Sequence, residues 1–249
     1  MEKVLTISKD YLLVPVKKEA EKRLLTFWCG TEKIYEFEIS CVDTEETYPE
    51  DFCAVLPVKK WKGQKIRIEG DVCESLLSAV REKESAVREN SGYIHFVPET
   101  GWINDPNGLI YREGKYHLYF QHNPVDVNWG NMSWGHAEST DLLHWVQKED
   151  VMFPDENGTM FSGCAILNER GLLGLPKDTP VFFYTVAGSA SEWSKGKKFV
   201  QRIAYSTDQG ETLTKIEENV LEHIEADNRD PKVYWHEEKQ LYYMVLYLD

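Results

Sequence analysis

The sequence has no apolar run of the roughly 18 residues that a membrane-spanning helix needs. Its opening residues, Met1-Glu2-Lys3-Val4-Leu5, lack the apolar core of a secretory signal. These two absences predict a cytoplasmic protein with no membrane partner. Positive charge is scarce: 28 Lys and Arg against 42 Asp and Glu leave a net charge of −14, which a phosphate backbone would repel, so nucleic acid is excluded as a partner. Cysteine is scarce and unpaired. Cys29, Cys41, Cys53, Cys73 and Cys164 make an odd count without CxxC spacing, which predicts reduced thiols rather than a disulfide framework. The first three are evenly spaced, yet no paired Cys or His accompanies them, so no metal site is predicted there. HExxH, GxSxG, P-loop and dinucleotide fingerprints are all missing, and with them any motif for a metal or organic cofactor.

What the chain does have is β-strand pattern and aromatic side chains. Its 249 residues can bury a substantial core, and 8 Trp, 13 Tyr and 10 Phe suit either sugar binding or an aromatic-rich all-β fold. Residues 1–72 read as a β-rich module of short strands: Tyr11–Val16, Leu24–Trp28, Ile34–Ile39, Ala54–Val58 and Lys65–Glu69. Alternation at Ile34–Ile39 and Lys65–Glu69 predicts half-buried antiparallel strands. Residues 73–92 read as a helical or linker segment, and a third part covers 93–249. The first module carries no constellation of catalytic residues.

After residue 95 the sequence repeats. Lys115-Tyr-His-Leu-Tyr-Phe120, Thr179-Pro-Val-Phe-Phe-Tyr-Thr185 and Lys239-Gln-Leu-Tyr-Tyr-Met-Val245 share one strand pattern, with starts 64 and 60 residues apart. Ala137-Glu-Ser-Thr-Asp141 is echoed by Ala204-Tyr-Ser-Thr-Asp208, and Asp105-Pro106 by Asp230-Pro231. A period near 60 residues holding several short strands describes a β-propeller blade. Innermost strands of a propeller converge on one channel, so Asp105 and Asp230 should face the same mouth. The competing reading is an ordinary sandwich with a coincidental repeat.

Two carboxylates facing one pocket are the minimum equipment for glycoside hydrolysis. Alone, Asp105-Pro-Asn-Gly108 is also an ordinary tight turn. Its surroundings, His95-Phe-Val-Pro-Glu-Thr-Gly-Trp-Ile-Asn-Asp-Pro-Asn-Gly108, resemble the signature of glycoside hydrolase family 32, the invertase, levanase and inulinase family. The resemblance continues through Tyr119-Phe-Gln-His-Asn-Pro124, Trp129-Gly130, Trp134-Gly-His-Ala137, Phe161-Ser-Gly163 and Arg229-Asp-Pro231. It implies a five-bladed propeller, of which the 155 residues from 95 onward make about two and a half blades at the repeat length, so the expected fold is all-β, a partial propeller behind the small β-rich module. It implies Asp105 as the nucleophile that attacks the fructosyl anomeric carbon and Asp230 as a transition-state stabiliser holding fructose hydroxyls. Asn104, Gln121, Trp129, Phe161, Ser162 and Arg229 match its fructose-pocket positions. Arg229 beside Asp230 should keep that carboxylate ionised. Each also has a plain structural reading: Gln121 as a strand-end hydrogen-bonder, Trp129 as core, Arg229–Asp230 as an ion pair. The seven histidines include His117 within a repeated strand, where packing or hydrogen bonding is the simpler role.

The family's general acid is a Glu, usually followed by Cys, some tens of residues beyond Arg-Asp-Pro. No Glu-Cys pair occurs in this sequence. The expectation is therefore that the acid lies outside residues 1–249, that this polypeptide alone is inactive, and that the apolar strand Leu241–Leu248 favours aggregation. Phe153-Pro-Asp-Glu-Asn-Gly-Thr-Met-Phe-Ser-Gly163 resembles the levanase and exo-inulinase form of its motif, with Cys164 where serine is common. The expected substrate is a fructan or other oligosaccharide. Sucrose or sucrose 6-phosphate is the second choice. A non-catalytic carbohydrate-binding propeller and an arabinoside- or xyloside-cleaving relative remain as other classes. Nothing in the sequence speaks to oligomeric state.

Overall fold

The structure, a computed structural model, describes residues 1–43, 47–85 and 94–249, and it divides the chain into two compact units. The first comprises Met1–Glu89, Pro98–Trp102 and Asn123–Asn131, and the second Asn90–Val97, Ile103–His122 and Met132–Asp249.

In the first unit, β1 (Glu2–Thr6), β2 (Tyr11–Val16), β3 (Lys22–Cys29), β4 (Glu32–Ser40), β5 (Phe52–Pro57) and β6 (Lys65–Gly70) are followed by a short helix α1 (Glu74–Ala79) and β7 (Arg81–Lys83). They build two antiparallel sheets, ordered β1-β6-β3-β4 and β5-β2-β7. Ile66 and Ile68 alternate inward as predicted for β6. β4 differs from its pattern. Glu38 is exposed, but Glu36 is buried and paired with Lys33, so the strand is covered on more than one face. The segment predicted as helix or linker is part helix and part strand. Its residues 86–92 lie outside the described residues. β7 is held where it is because the Glu82 carboxylate accepts the backbone N–H of Ser8 and Lys9 at 2.6 and 2.9 Å.

The 123–131 loop is fastened to β4 within this unit. Asn131 and Glu38 exchange two hydrogen bonds of 2.9 and 2.8 Å, and Ser40 Oγ donates to the buried Asp126 carboxylate at 2.5 Å. Asp126 also accepts the N–H groups of Val127 and Asn128, as a buried carboxylate must to repay its lost hydration.

The second unit is a β-propeller. Its first blade is β8 (Trp102–Arg112), β9 (Lys115–Asn123), β10 (Ser133–Ser139) and β11 (Trp145–Gln147). The second is β12 (Thr159–Leu167), β13 (Pro180–Ala187), β14 (Val200–Tyr205) and β15 (Thr214–Leu221). A third begins with β16 (Arg229–His236) and β17 (Leu241–Tyr247), which gives two four-stranded blades and a two-stranded one. The three repeated sequence segments are β9, β13 and the start of β17, the second strand of each blade. The repeated Ser-Thr-Asp elements are equivalent turns: Ser139 Oγ bonds Asp141 and Ser206 Oγ bonds Asp208, at 3.1 and 2.9 Å.

β13 shows why blades stack. Every residue from Pro180 to Ala187 is buried, because alternate side chains enter different cores. Phe182, Tyr184 and Val186 join Met160 of their own blade and Tyr119 and Trp134 of the first. Val181 and Phe183 join Cys164, Ile203 and Val233 against the third. Tyr119 and Trp134 meet Phe182 edge-on, with ring centroids 4.8 and 6.2 Å away, a favourable aromatic arrangement.

Candidate active site

The first strands of the three blades, β8, β12 and β16, open onto one cleft of about 420 Å³, within the ~300–1,000 Å³ range of small-molecule sites. β8 contributes Asp105 and Asn107, β12 Ser162, Gly163 and Cys164, and β16 Asp230 and Lys232.

Two strand irregularities aim these side chains. Pairing between β12 and β13 slips between Met160 and Gly163, and pairing between β16 and β17 slips between Arg229 and Lys232. Bulges of this kind bend a strand and redirect its side chains. In the first, Ser162 reaches Asp105, donating from Oγ to Oδ2 at 2.7 Å. Gly163 has to be glycine here: a Cβ would sit 2.0 Å from the Phe183 carbonyl oxygen. Its N–H donates to Asn107 Oδ1 at 3.2 Å, tying β12 to β8. In the second bulge, Asp230 adopts a left-handed backbone with φ of 59°, a conformation that costs a non-glycine residue about 1–3 kcal/mol. Cys164 is buried, and Val233 N–H donates to its Sγ at 3.1 Å. The departure from serine thus keeps both small size and an acceptor for β16.

The Asp230 carboxyl is pushed above the ordinary aspartate range. Loss of hydration raises it most, the Arg229 charge opposes this, and the Asp105 charge raises it further. Arg229 favours the ionised form of Asp230, as its position predicts, and its effect is smaller than that of burial. Arg229 Nε lies 3.6 Å from Asp230 Oδ2, but the guanidinium also binds the Asp227 carbonyl, the Asp249 carboxylate and the face of Tyr247. Its charge is therefore shared, and burial prevails.

Of the eight residues predicted from sequence, Asp105, Ser162 and Asp230 line the cleft together. Of the other five, Asn104, Gln121, Phe161 and Arg229 belong to the same unit without lining it. Asn104 neighbours Asp105 on β8 and is exposed. Gln121 is buried on β9, opposite Trp134. Phe161 precedes Ser162 and packs edge-on against Phe199 at 5.6 Å, while its carbonyl accepts the Trp134 indole N–H at 3.0 Å. Arg229 opens β16 beside Asp230. Trp129, 53% exposed, sits in the 123–131 loop of the first unit. Asn107, Cys164 and Lys232 line the cleft without having been singled out as pocket residues. Asn107 belongs to the Asp105-Pro-Asn-Gly108 motif, and its nearness to Asp105 in sequence is the signal that points to it.

Among the described residues one group has metal-ligand character: His117, His136 and Glu138, all buried, with donor atoms within 4.8 Å of one another. None of the three lines the cleft. The Glu138 carboxylate is engaged by Lys115 at 2.9 Å, with Lys148 3.9 Å away. The two imidazoles hydrogen-bond to each other at 3.2 Å, and burial keeps His136 neutral by holding its pKa down to about 3. His136 Nδ1 has no partner, whereas a metal-bound imidazole normally has its second nitrogen oriented by an acceptor. The cluster reads as a hydrogen-bonded polar core of the first blade, stacked on Tyr119 at 4.5 Å.

Comparison with known proteins bears on what this cleft does. Residues 95–248 match the family model described as the N-terminal domain of glycosyl hydrolases family 32. A levanase of Bacillus subtilis is 42% identical over 157 residues, covering 61% of this chain and 22% of that protein. An extracellular exo-inulinase of Aspergillus awamori is 38% identical over 177 residues, covering 62% and 33% respectively. Among solved structures, a beta-fructofuranosidase from Schwanniomyces occidentalis complexed with fructosyl-erythritol matches with a TM-score of 0.56 and 37% identity, over 64% of this chain and 32% of that one. The chain spans between 22% and 33% of the length of these three relatives.

Proposed function

This chain belongs to glycosyl hydrolases family 32, and on that premise we propose that its cleft is a fructosyl site, built to take part in hydrolysis of terminal β-fructofuranosyl linkages in fructans. The observation that carries the proposal is that Asp105 and Asp230, 125 residues apart, line one cleft.

Asp105 is the nucleophile. Ser162 holds one of its carboxylate oxygens, which leaves the other to attack the anomeric carbon and form a covalent fructosyl ester, displacing the leaving-group oxygen. Water then attacks the same carbon, releases fructose and returns the carboxylate, so configuration is retained. Asp230, held beside Asp105, accepts hydrogen bonds from fructose hydroxyls. Bonds of that kind strengthen as charge develops on the sugar ring. Protonation of the leaving oxygen requires a third acid, and among the described residues Asp105 and Asp230 are the cleft's only carboxylates. This polypeptide by itself should therefore bind fructose yet turn over slowly, since general acid catalysis is worth roughly 10²- to 10⁴-fold. Asn104, Gln121, Trp129, Phe161 and Arg229 remain proposed contacts or supports of the bound sugar. Levan and inulin are the favoured substrates because of the Phe153–Gly163 motif, with sucrose next.

Titration calorimetry with fructose, against arabinose and xylose as controls, tests this reading. Heat of binding with fructose alone supports it. A folded chain that binds none of the three, or prefers a pentose, contradicts it.

A further inference from the structure

Two polar side chains with no exposed surface, Gln201 and Thr185, link the Asn228 carbonyl to the Asp230 backbone N–H through a chain of hydrogen bonds. Gln201, on β14, donates from Nε2 to the Asn228 carbonyl at 2.9 Å. Its Oε1 accepts the Thr185 hydroxyl proton at 2.7 Å. Thr185 Oγ1, on β13, in turn accepts the Asp230 N–H at 3.0 Å. Thr185, Gln201 and Asn228 are each 0% exposed, so no water competes for these bonds. The directions are fixed by the partners. The Asn228 carbonyl can only accept, so the Gln201 amide points its NH₂ there. Its oxygen then faces Thr185, whose one proton goes to that oxygen and whose lone pair meets the Asp230 N–H. The main chain is thus gripped on both sides of Arg229.

The grip falls where β16 leaves regular geometry, at the bulge that contains the left-handed Asp230. Such a backbone persists only where its surroundings overdetermine it. Regular pairing with β17 is interrupted between Arg229 and Lys232, so the neighbouring blade supplies the missing hold. We propose that Thr185 and Gln201 are positioning residues for Asp230: they fix the Asp230 backbone in the conformation that turns its carboxylate into the cleft. The inference rests on the fructosyl-site reading for its consequence, but not for its geometry.

The test compares Thr185→Val, which removes the hydroxyl at similar volume, with Thr185→Ser, which keeps it. Amide hydrogen exchange is followed residue by residue by NMR, and fructose affinity by calorimetry. In Thr185→Val the Asp230 amide should exchange at least about tenfold faster while β13 and β14 amides keep their protection. Fructose affinity should fall about tenfold, and Thr185→Ser should restore both. Gln201→Met, which removes both the donor to Asn228 and the acceptor for Thr185 at similar size, is read in the same way and substitutes if Thr185→Val does not fold. Unchanged Asp230 exchange in a folded Thr185→Val or Gln201→Met variant overturns the inference. If the parent chain binds no fructose, the functional reading fails, and the exchange comparison still decides the positioning role.

Discussion

Asp230 carries two costs in the folded chain. It occupies a left-handed backbone, and its carboxyl is harder to ionise than in the unfolded chain, because of burial and the nearby Asp105. With the folded pKa above the unfolded one, the penalty is absent below the unfolded pKa and is fully present once pH has risen through the folded pKa. Asp230→Asn removes the charge, and asparagine tolerates left-handed φ better than most residues. The variant should melt at a higher temperature than the parent near neutral pH, with a smaller gain at acid pH, while losing fructose affinity. Scanning calorimetry at both pH values checks this, and a lower melting temperature at neutral pH would argue against strain at Asp230. Gly163 makes the opposite case. A Cβ there meets the Phe183 carbonyl oxygen at 2.0 Å, a backbone atom that cannot move aside alone. Gly163→Ala should cost about 1–3 kcal/mol of stability and disturb the Ser162–Asp105 hydrogen bond, as read by urea unfolding and fructose titration.

Strands β13 and β17 hold equivalent places in their blades and differ in cover. β13 is buried throughout, whereas β17 alternates, with Tyr243, Val245 and Tyr247 exposed. Phe182→Ala should therefore cost about 3–5 kcal/mol, and Val245→Ala no more than about 0.5 kcal/mol, in the same denaturation series. Elements like these were the most legible part of the sequence. The apolar strands repeat with blade spacing, and the Asp-Pro pairs repeat with them; the structure places Asp105 and Asp230 early in β8 and β16, the first strands of their blades, where the period predicted that they would meet. β1 has no such signal: Glu2–Thr6 is short, opens on two charged residues and is recognisable only through its pairing with β6. The strand after α1 was hidden for the same reason, since Arg81-Glu-Lys83 has no apolar residue and owes its place to β2. Bulges at Ser162 and Asp230 left no local signature. Thr185 and Gln201 looked like ordinary strand residues because their partners, Asp230 and Asn228, are 45 and 27 residues away.

At the scale of the whole molecule, the fold matters for function in one way: it turns sequence separation into proximity. Each blade supplies one inner strand, and the cleft exists because three of them converge, with the second blade's polar interior holding the third blade's aspartate. On this reading Asp105 and Asp230 act on one sugar. NMR detection of the side-chain carboxyl carbons, assigned with Asp105→Asn and Asp230→Asn, measures this directly as fructose is added. Both resonances should shift along the same saturation curve, with one dissociation constant, and either substitution should weaken the response of the remaining carboxyl. Movement of only one resonance, two different saturation curves, or no movement of either in the folded chain would show that the two carboxylates do not share a sugar.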